Sequence, residues 1–429
     1  MNGRPEARQG GRPFSGVLDV RRGELFPLLT SALLFFSILC SIKIVKAMRE
    51  TVSTIAGLER IPDLWTYTFV FTVVANLLYW SLVNRVPRRR FVPWSLHFCA
   101  TCLLIFWALL HGTSGTLQEW VGYGFYTWYS AFNLCVVSLF WVCMVDQFTT
   151  EQGRRLFGLI AIGGTLGGIL GSKLAEWLVG SVGEAGLFLL AAGAIEIAVV
   201  ANALRERLAG DSRAPDRNVV AGGGVFEGLG LVLRTRTLAW FAVLIVLMTA
   251  AQGGFYFLQL DFVREHLPRA DRTVYYAQKE ALADTLTLLL EVFVTARAVR
   301  WLGVGITLSI VPVLAIAGIF VVLSSPELGL VLIVHALWDS GRHGLVRPAR
   351  EIVFTKLGAA AKYKSKTFLD AFLYRGSDVA WSWFFGMFRG ATVPWVTIAW
   401  VTIPFAAAWG IVGPVLGWSH KRDRGVGAS

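Results

Sequence analysis

Apolar stretches of about 20 residues, the length a helix needs to cross a hydrocarbon layer of roughly 30 Å, recur along the whole chain between short polar turns. Twelve such runs fit, at 25–47, 65–84, 91–111, 120–146, 156–180, 184–204, 237–260, 274–298, 302–323, 328–346, 366–388 and 393–418. The pattern predicts an all-α polytopic membrane protein with twelve transmembrane helices. Charged residues break a few of the runs, and the first break is SIKIVKAMRE, residues 41–50, which closes the first run with Lys43, Lys46 and Arg49.

Composition agrees with the pattern. Of 429 residues 55% are hydrophobic and only 16% charged, and the mean hydropathy is +0.58. A soluble chain of this length needs more charge to keep its surface wet. The net charge of +12 raises the possibility of a nucleic-acid partner, but its distribution argues against one. Basic residues gather in alternate connections: RVPRRR, TEQGRR, the linker 205–236, the stretch around Arg297 and Arg300, and 347–366. Connections such as HGTSGTLQE, SVGE and SSPE are nearly free of them. By the positive-inside rule both termini are expected on the cytoplasmic side of a bacterial inner membrane. The Arg-rich segment 1–24 is expected to be a cytoplasmic tail before a retained first span, since the run that follows is too long for a signal-peptide core.

The linker, with its Gly, Pro and charge content, divides the spans into six-helix bundles at 25–204 and 237–418, followed by a cytoplasmic tail at 419–429. DQFTTEQGRRLFG after the fourth span has a faint echo in REIVFTKLGAAAKYKSKTF after the tenth. Two six-helix pseudo-repeats around a long central loop are the layout of the major facilitator superfamily. Gly163, Gly167 and Gly171, with Gly164 and Gly168 beside them, form small-xxx-small spacing that lets another helix approach closely. Pro394, Pro404 and Pro414 are expected to bend the last span. Cys99 and Cys102 form a CxxC inside an apolar run, where packing rather than redox chemistry is the natural role.

Charges inside spans are costly and tend to be functional. Lys43, Lys46 and Glu50, spaced i, i+3, i+7, share one helix face with Arg49 beside it. At about 27 Å from Leu25, Lys43 is expected near the outer boundary. It either snorkels to headgroups or joins a cationic stripe facing a central cavity. The second half supplies counterparts. Asp339, Arg342, Arg347 and Arg350 gather around the inner end of the tenth span, Lys362, Lys364 and Lys366 precede the eleventh, and Asp370, Arg375 and Asp378 lie within it. Arg375 is either a ligand or the partner of Asp378. Glu280, Asp284 and Glu291 fall in one narrow stripe of the eighth span, where they carry coupling protons or neutralise Lys279 and the cavity cations. Lys173 and Glu176, three apart, are expected to pair. The histidines are scattered, and no metal or other cofactor is expected.

At these residues the sequence resembles the nucleotide (ATP/ADP) translocase family of plastids and intracellular parasites and its bacterial relatives. The likeness is carried by Lys46, Arg49 and Glu50, by Ile61-Pro62 and Leu64, by Asn84-Arg85, Phe140-Trp141 and Arg154-Arg155, and by Pro348, Arg350 and Glu351. The most specific match is K-x-K-x-K-x3-D-x4-R, present as Lys362, Lys364, Lys366, Asp370 and Arg375. The resemblance implies exchange of nucleotides, typically ATP for ADP plus phosphate. Arg49 and Arg350 stand where the family has functional lysines, and Gln259 falls near a family glutamate. The chain is also shorter than typical translocases.

The first expectation is therefore a secondary transporter for an anionic, nucleotide-like solute, acting in the lipid bilayer as a monomer. Lys46, Arg49, Arg350 and Arg375 are expected to converge on the solute. Lys43, Glu50, Glu280, Asp284, Glu291, Asp339, Asp370 and Asp378 are expected to couple or gate. The alternatives are a proton-coupled transporter of another phosphorylated or carboxylated metabolite, and a non-transporting sensor or scaffold. His266 and Asp271 match the H-x4-D spacing of lipid acyltransferases, but in a short loop with no domain around it, so no enzyme is expected.

Overall fold

The computed structural model describes residues 20–83, 88–209, 225–353, 365 and 368–422, nearly all helical. The helices are α1 (Leu25–Val83), α2 (Arg88–Gly112), α3 (Thr116–Gln147), α4 (Thr150–Ala209), α5 (Val225–Arg234), α6 (Arg236–His266), α7 (Arg269–Leu289), α8 (Ala296–Ser324), α9 (Leu328–Gly341), α10 (Arg347–Val353), α11 (Tyr374–Gly386) and α12 (Pro394–Arg422). π-helical turns at Leu290–Thr295 and Arg342–Val346 join α7 to α8 and α9 to α10, and a third at Phe368–Leu373 leads into α11.

Three of these helical runs cross twice. α1 reverses at Gly57 (φ 65°, ψ −178°), α4 at Gly183 (φ 71°, ψ 171°), and the α7–α8 run at Gly303 (φ 78°, ψ 167°). A positive φ with extended ψ is a conformation open to glycine and strained for other residues. Divided there, the described residues make six passes before 210–224 and six after, so the twelve predicted spans are present. The end of the bundle holding Leu25 is called the near rim, and the end holding Gly57 the far rim.

Several expected boundaries need correction. Residues 48–64, expected as a connection, are helical on both sides of Gly57. Lys43 therefore lies fourteen residues from the turn, about 21 Å at 1.5 Å per residue, at mid-depth rather than at the outer boundary. The tenth span runs unbroken through Arg347–Val353, so Asp339 and Arg342 also lie at mid-depth and not at its inner end. α6 extends to His266, beyond the expected edge at 260, and carries Arg264 out on its last turn. With Arg60, Arg269, Arg272 and Arg389, this makes the far rim more basic than the loop pattern suggested. Pro394 occupies the first position of α12, where a proline costs no hydrogen bond, so only Pro404 and Pro414 lie inside the helix. In the expected linker, α4 continues to Ala209 and α5 occupies Val225–Arg234, with Val232 buried in the second-half core. Asn84, Arg85, Lys362, Lys364 and Lys366 lie outside the described residues.

Lipid tails are as apolar as leucine, so helix association here rests on close packing more than on hydrophobic burial. The glycine stripe of α4 meets the first pass of α1. A Cβ on Gly163 would stand 3.0 Å from that of Ala32, and one on Gly171 2.9 Å from the Cα of Cys40. On the other side of the molecule, Gly305 of α8 lies against Gly413, Pro414 and Gly417 of α12. One core is built from the first half and the other from the second. They interlock where Val263, Tyr275, Tyr276 and Ala277 enter the first and Ala56, Leu58, Ile61, Leu64 and Tyr126 enter the second.

Candidate functional site

Lys43 and Lys46, three residues apart on α1, both reach across to α7. Lys43 Nζ donates to Glu280 Oε2 at 2.8 Å and to Asp284 Oδ1 at 2.7 Å, and Lys46 Nζ donates to the same Glu280 oxygen at 2.6 Å. The other Glu280 oxygen faces Lys279 Nζ at 2.7 Å, and Lys279 donates to Asp339 Oδ2 of α9 at 2.9 Å. Asp339 Oδ1 accepts from Arg342 at 3.4 Å, and Arg342 also holds Gln252 of α6 and the Tyr374 hydroxyl of α11. The chain of contacts thus begins in the first half and ends deep in the second.

These groups share one depth. Glu280 is eleven residues from Arg269, and Asp339 eleven from Leu328, each about 17 Å from the far rim. Glu280 is 1% exposed, and unpaired charge at that depth is strongly disfavoured. Glu280 therefore satisfies three cations at once. Gly168 of α4 leaves the room for this arrangement, since a Cβ there would stand 3.1 Å from Asp284 Oδ2. The glycine stripe thus serves the site as well as the packing.

Other contacts between the halves lie from this level to the far rim. Thr51 and Thr273 share a hydroxyl hydrogen bond of 2.8 Å, and Thr273 donates to Glu184 at 2.9 Å. Arg272 donates to Thr54 at 3.2 Å, and Tyr126 meets Tyr256 at 3.1 Å. Trp383 of α11 donates to Thr66 at 3.1 Å, and Gly386 rests on Pro62. Among the described residues, no hydrogen bond or ion pair joins the halves between residues 25–42 of α1 and the second half. The two bundles form a cleft open toward the near rim, with the ionic network at its apex.

The predicted site residues separate into several places. Lys43, Lys46, Glu280, Asp284 and Asp339 join the network. Arg49 does not: its Nη1 donates to neighbouring Glu50 at 2.8 Å, and its guanidinium lies over Tyr126, 4.1 Å from the ring centroid. Arg350 pairs with Asp370 at 2.8 Å toward the near rim, over the rings of Phe241 and Tyr374. Arg375 is exposed and makes no ion pair with Asp378 among the described residues. Eleven residues from Gly386, it lies about 20° from it around the helix. Since Gly386 touches the other half, Arg375 lies on the face of α11 that meets that half, about 16 Å nearer the near rim. Asp378 is buried, and its Oδ1 makes no hydrogen bond.

The expected convergence of Lys46, Arg49, Arg350 and Arg375 is therefore corrected: they occupy four environments, since Lys46 is held by Glu280 of α7, Arg49 by its own neighbour Glu50, Arg350 by Asp370, and Arg375 makes no ion pair among the described residues. The three-acid stripe is corrected too. Glu291 stays near the same angle but lies about 16 Å farther along the helix than Glu280, where the cleft is open and the side chain exposed. Lys173 pairs with Glu176 at 2.7 Å as predicted. His266 is stacked on Phe262 at 4.1 Å and bonded to its carbonyl. Gln252, Tyr374, Thr51 and Thr273 carried no signal in the sequence, because each is a common residue type whose role comes from a partner on another helix.

No protein-family model matches the sequence, and neither does any curated protein. Solved structures do share its architecture. A mutant of the nucleoside transporter NupG superposes with a TM-score of 0.69 at 11% identity, over 91% of this chain and 99% of that one. A bacterial homologue of the human lysosomal transporter Spinster, inward-facing and unoccupied, gives 0.61 at 12%, over 95% and 100%. The POT family transporter PepTSo gives 0.64 at 14%, over 94% and 99%. At these identities the likeness is one of fold: a multi-pass membrane protein of major-facilitator architecture.

Proposed function

We propose that this protein is a secondary active transporter that exchanges an anionic, nucleotide-like solute across a bacterial inner membrane by alternating access. The near rim is taken as cytoplasmic, as the basic N-terminal tail and near-rim arginines favour. The observation that carries the reading is the apex network, in which two lysines of the first half are held by carboxylates of the second. Four cations, Lys43, Lys46, Lys279 and Arg342, meet three carboxylates, Glu280, Asp284 and Asp339, which leaves one positive charge in excess.

An incoming anion competes with Glu280 and Asp284 for the lysine ammonium groups. Its charge offsets the excess and loosens the tie between the halves, so they can rock about the site. Arg375, on the face of α11 that meets the first half, meets the solute on its way to the apex. Arg49 and Arg350, each held by its own carboxylate, become available once Glu50 and Asp370 release them as the halves move. Likeness in fold to a nucleoside transporter is compatible with a nucleotide-like solute, and the K-x-K-x-K-x3-D-x4-R match favours one.

The test is uptake of labelled ADP into proteoliposomes preloaded with ATP. Wild-type protein is expected to exchange, and Lys46→Gln to lose at least about 100-fold of the rate, in the range expected when a buried charged contact to substrate is removed. Equal exchange by the variant would remove Lys46 from the site. A second reading, proton-coupled transport, is favoured by Asp284 Oδ2 and Asp378 Oδ1, both buried without a hydrogen bond. It requires uptake that follows a pH gradient into empty vesicles. Dependence on internal nucleotide with no response to the gradient would exclude it.

A further inference from the structure

At the near rim, on the outer face of the second half, the first turn of α6 and the last turn of α12 are tied together by a buried hydrogen bond of 2.9 Å between Thr237 and Ser419. Beside that tie stands Trp418, 48% exposed. Two guanidinium groups from different helices lie over its ring, Arg236 at 5.5 Å and Arg422 at 4.2 Å from the centroid. Both arginines are exposed, and among the described residues neither makes an ion pair with a carboxylate. Among the described residues they are therefore positioned by the indole face alone, and their N–H donors have no other partner there.

Below this cluster, one heptad along the same face of α12, Ile411 is 69% exposed. α5, which packs against α6, buries Val232 in the core and leaves Leu229 and Leu233 exposed. A second arginine–indole contact, Arg300 over Trp301 at 5.9 Å, sits on α8, whose close packing on α12 runs through Gly305 and Gly417. Exposed indoles and arginines at one level mark the headgroup zone of a bilayer. Exposed aliphatic side chains beneath them mark the start of the acyl layer.

We infer that Arg236, Trp418 and Arg422 form a binding site for the headgroup phosphate of an anionic phospholipid, with an acyl chain lying along Ile411. The two guanidinium groups, both held at the indole, donate to phosphate oxygens beside it. The local excess of positive charge selects a lipid with net negative charge over a zwitterionic one. The site is separate from the apex network and does not depend on the transported solute.

The experiment is native mass spectrometry of the full chain after delipidation and titration with phosphatidylglycerol, phosphatidylcholine or inorganic phosphate. Wild-type protein is expected to retain phosphatidylglycerol in preference to phosphatidylcholine. Replacing Arg236→Gln and Arg422→Gln together should weaken retention at least about tenfold, since each arginine near anionic headgroups contributes about 1 kcal/mol. The paired Arg236→Lys and Arg422→Lys variant should retain part of the preference. Equal retention by wild type and the double glutamine variant overturns the site, as does equal retention of the two lipids. Displacement of phosphatidylglycerol by inorganic phosphate at matched concentration also overturns it, because it would show a free-anion site. If the double glutamine variant fails to fold, Trp418→Ala decides: undiminished retention there overturns the site.

Discussion

Glu280 accepts from Lys43 and Lys46 on one oxygen and faces Lys279 on the other, all within 2.6–2.8 Å. Glu280→Gln keeps the volume but leaves three buried cations short of one negative charge and turns an amide N–H₂ toward a lysine. Removing one partner of a buried charge cluster typically costs about 3–5 kcal/mol, so the variant should unfold at distinctly lower temperature in detergent. Asp378→Asn is the contrast. Its carboxylate makes no ion pair and its Oδ1 no hydrogen bond, so the change should stay within about 1 kcal/mol. If both variants unfold alike, the network is not what holds this level together. The sequence already singled out Lys43, Lys46, Glu280, Asp284 and Asp339, because ionisable groups within apolar runs are costly. It could not assign partners. Contacts such as Lys43 with Asp284 join residues far apart in the chain, and the same pattern allowed Arg375 to pair with Asp378, which it does not.

Between elements, the α4 glycine stripe decides how closely α1 approaches. Gly167 lies against the backbone carbonyl of Phe36, and a side chain there has no room. Gly167→Leu should separate the helices, disturb the Lys43–Asp284 pair through neighbouring Gly168, and lower stability by about 1–3 kcal/mol. Gly180→Ala, with open space around it, should be neutral or slightly stabilising. Thermal unfolding of the two variants in one detergent checks both. At the near rim the start of α1 is tied to α4 by Arg155, which donates to both Glu24 oxygens at 3.1 and 2.9 Å. That contact holds the Glu24 carboxyl down from 4.5 to about 2. A depressed carboxyl stabilises the folded form above its unfolded value, and that contribution is lost as pH falls from 4.5 through 2. Protection from hydrogen exchange around residues 22–30, relative to the intrinsic rate at each pH, should therefore fall across that window, and Arg155→Gln should show low protection already at neutral pH. Helix positions were legible from run length, while the reversals at Gly57 and Gly303 were harder to place. A single positive-φ glycine reverses the chain without the polar loop that usually marks a turn.

Across the two bundles, the polar contacts run from the apex to the far rim, so the proposed rocking between states would have to break the far-rim contacts. Thr51 and Thr273 hydroxyls lie 2.8 Å apart across that boundary and are buried. With the five native cysteines replaced by serine, a Thr51→Cys and Thr273→Cys pair should cross-link on oxidation and lock the cleft open on one side. Exchange of labelled solute should stop on oxidation and return with a thiol reductant. Continued exchange by fully cross-linked protein would show that the far rim need not open.

The class of structure was already written in the amino-acid pattern: twelve apolar runs with too little charge for water dictate membrane helices, and the break between two sets of six dictates two bundles. Hydrocarbon imposes that result locally, since each run must satisfy its own backbone hydrogen bonds wherever it sits. Which charges meet across helices depended on how the helices pack. Glu280 took Lys43 and Lys46, Asp339 took Lys279, and Asp370 took Arg350. An ion pair depends on the depth and facing of two separate helices, and those follow from packing at glycines, π turns and kinks that a hydropathy pattern does not encode.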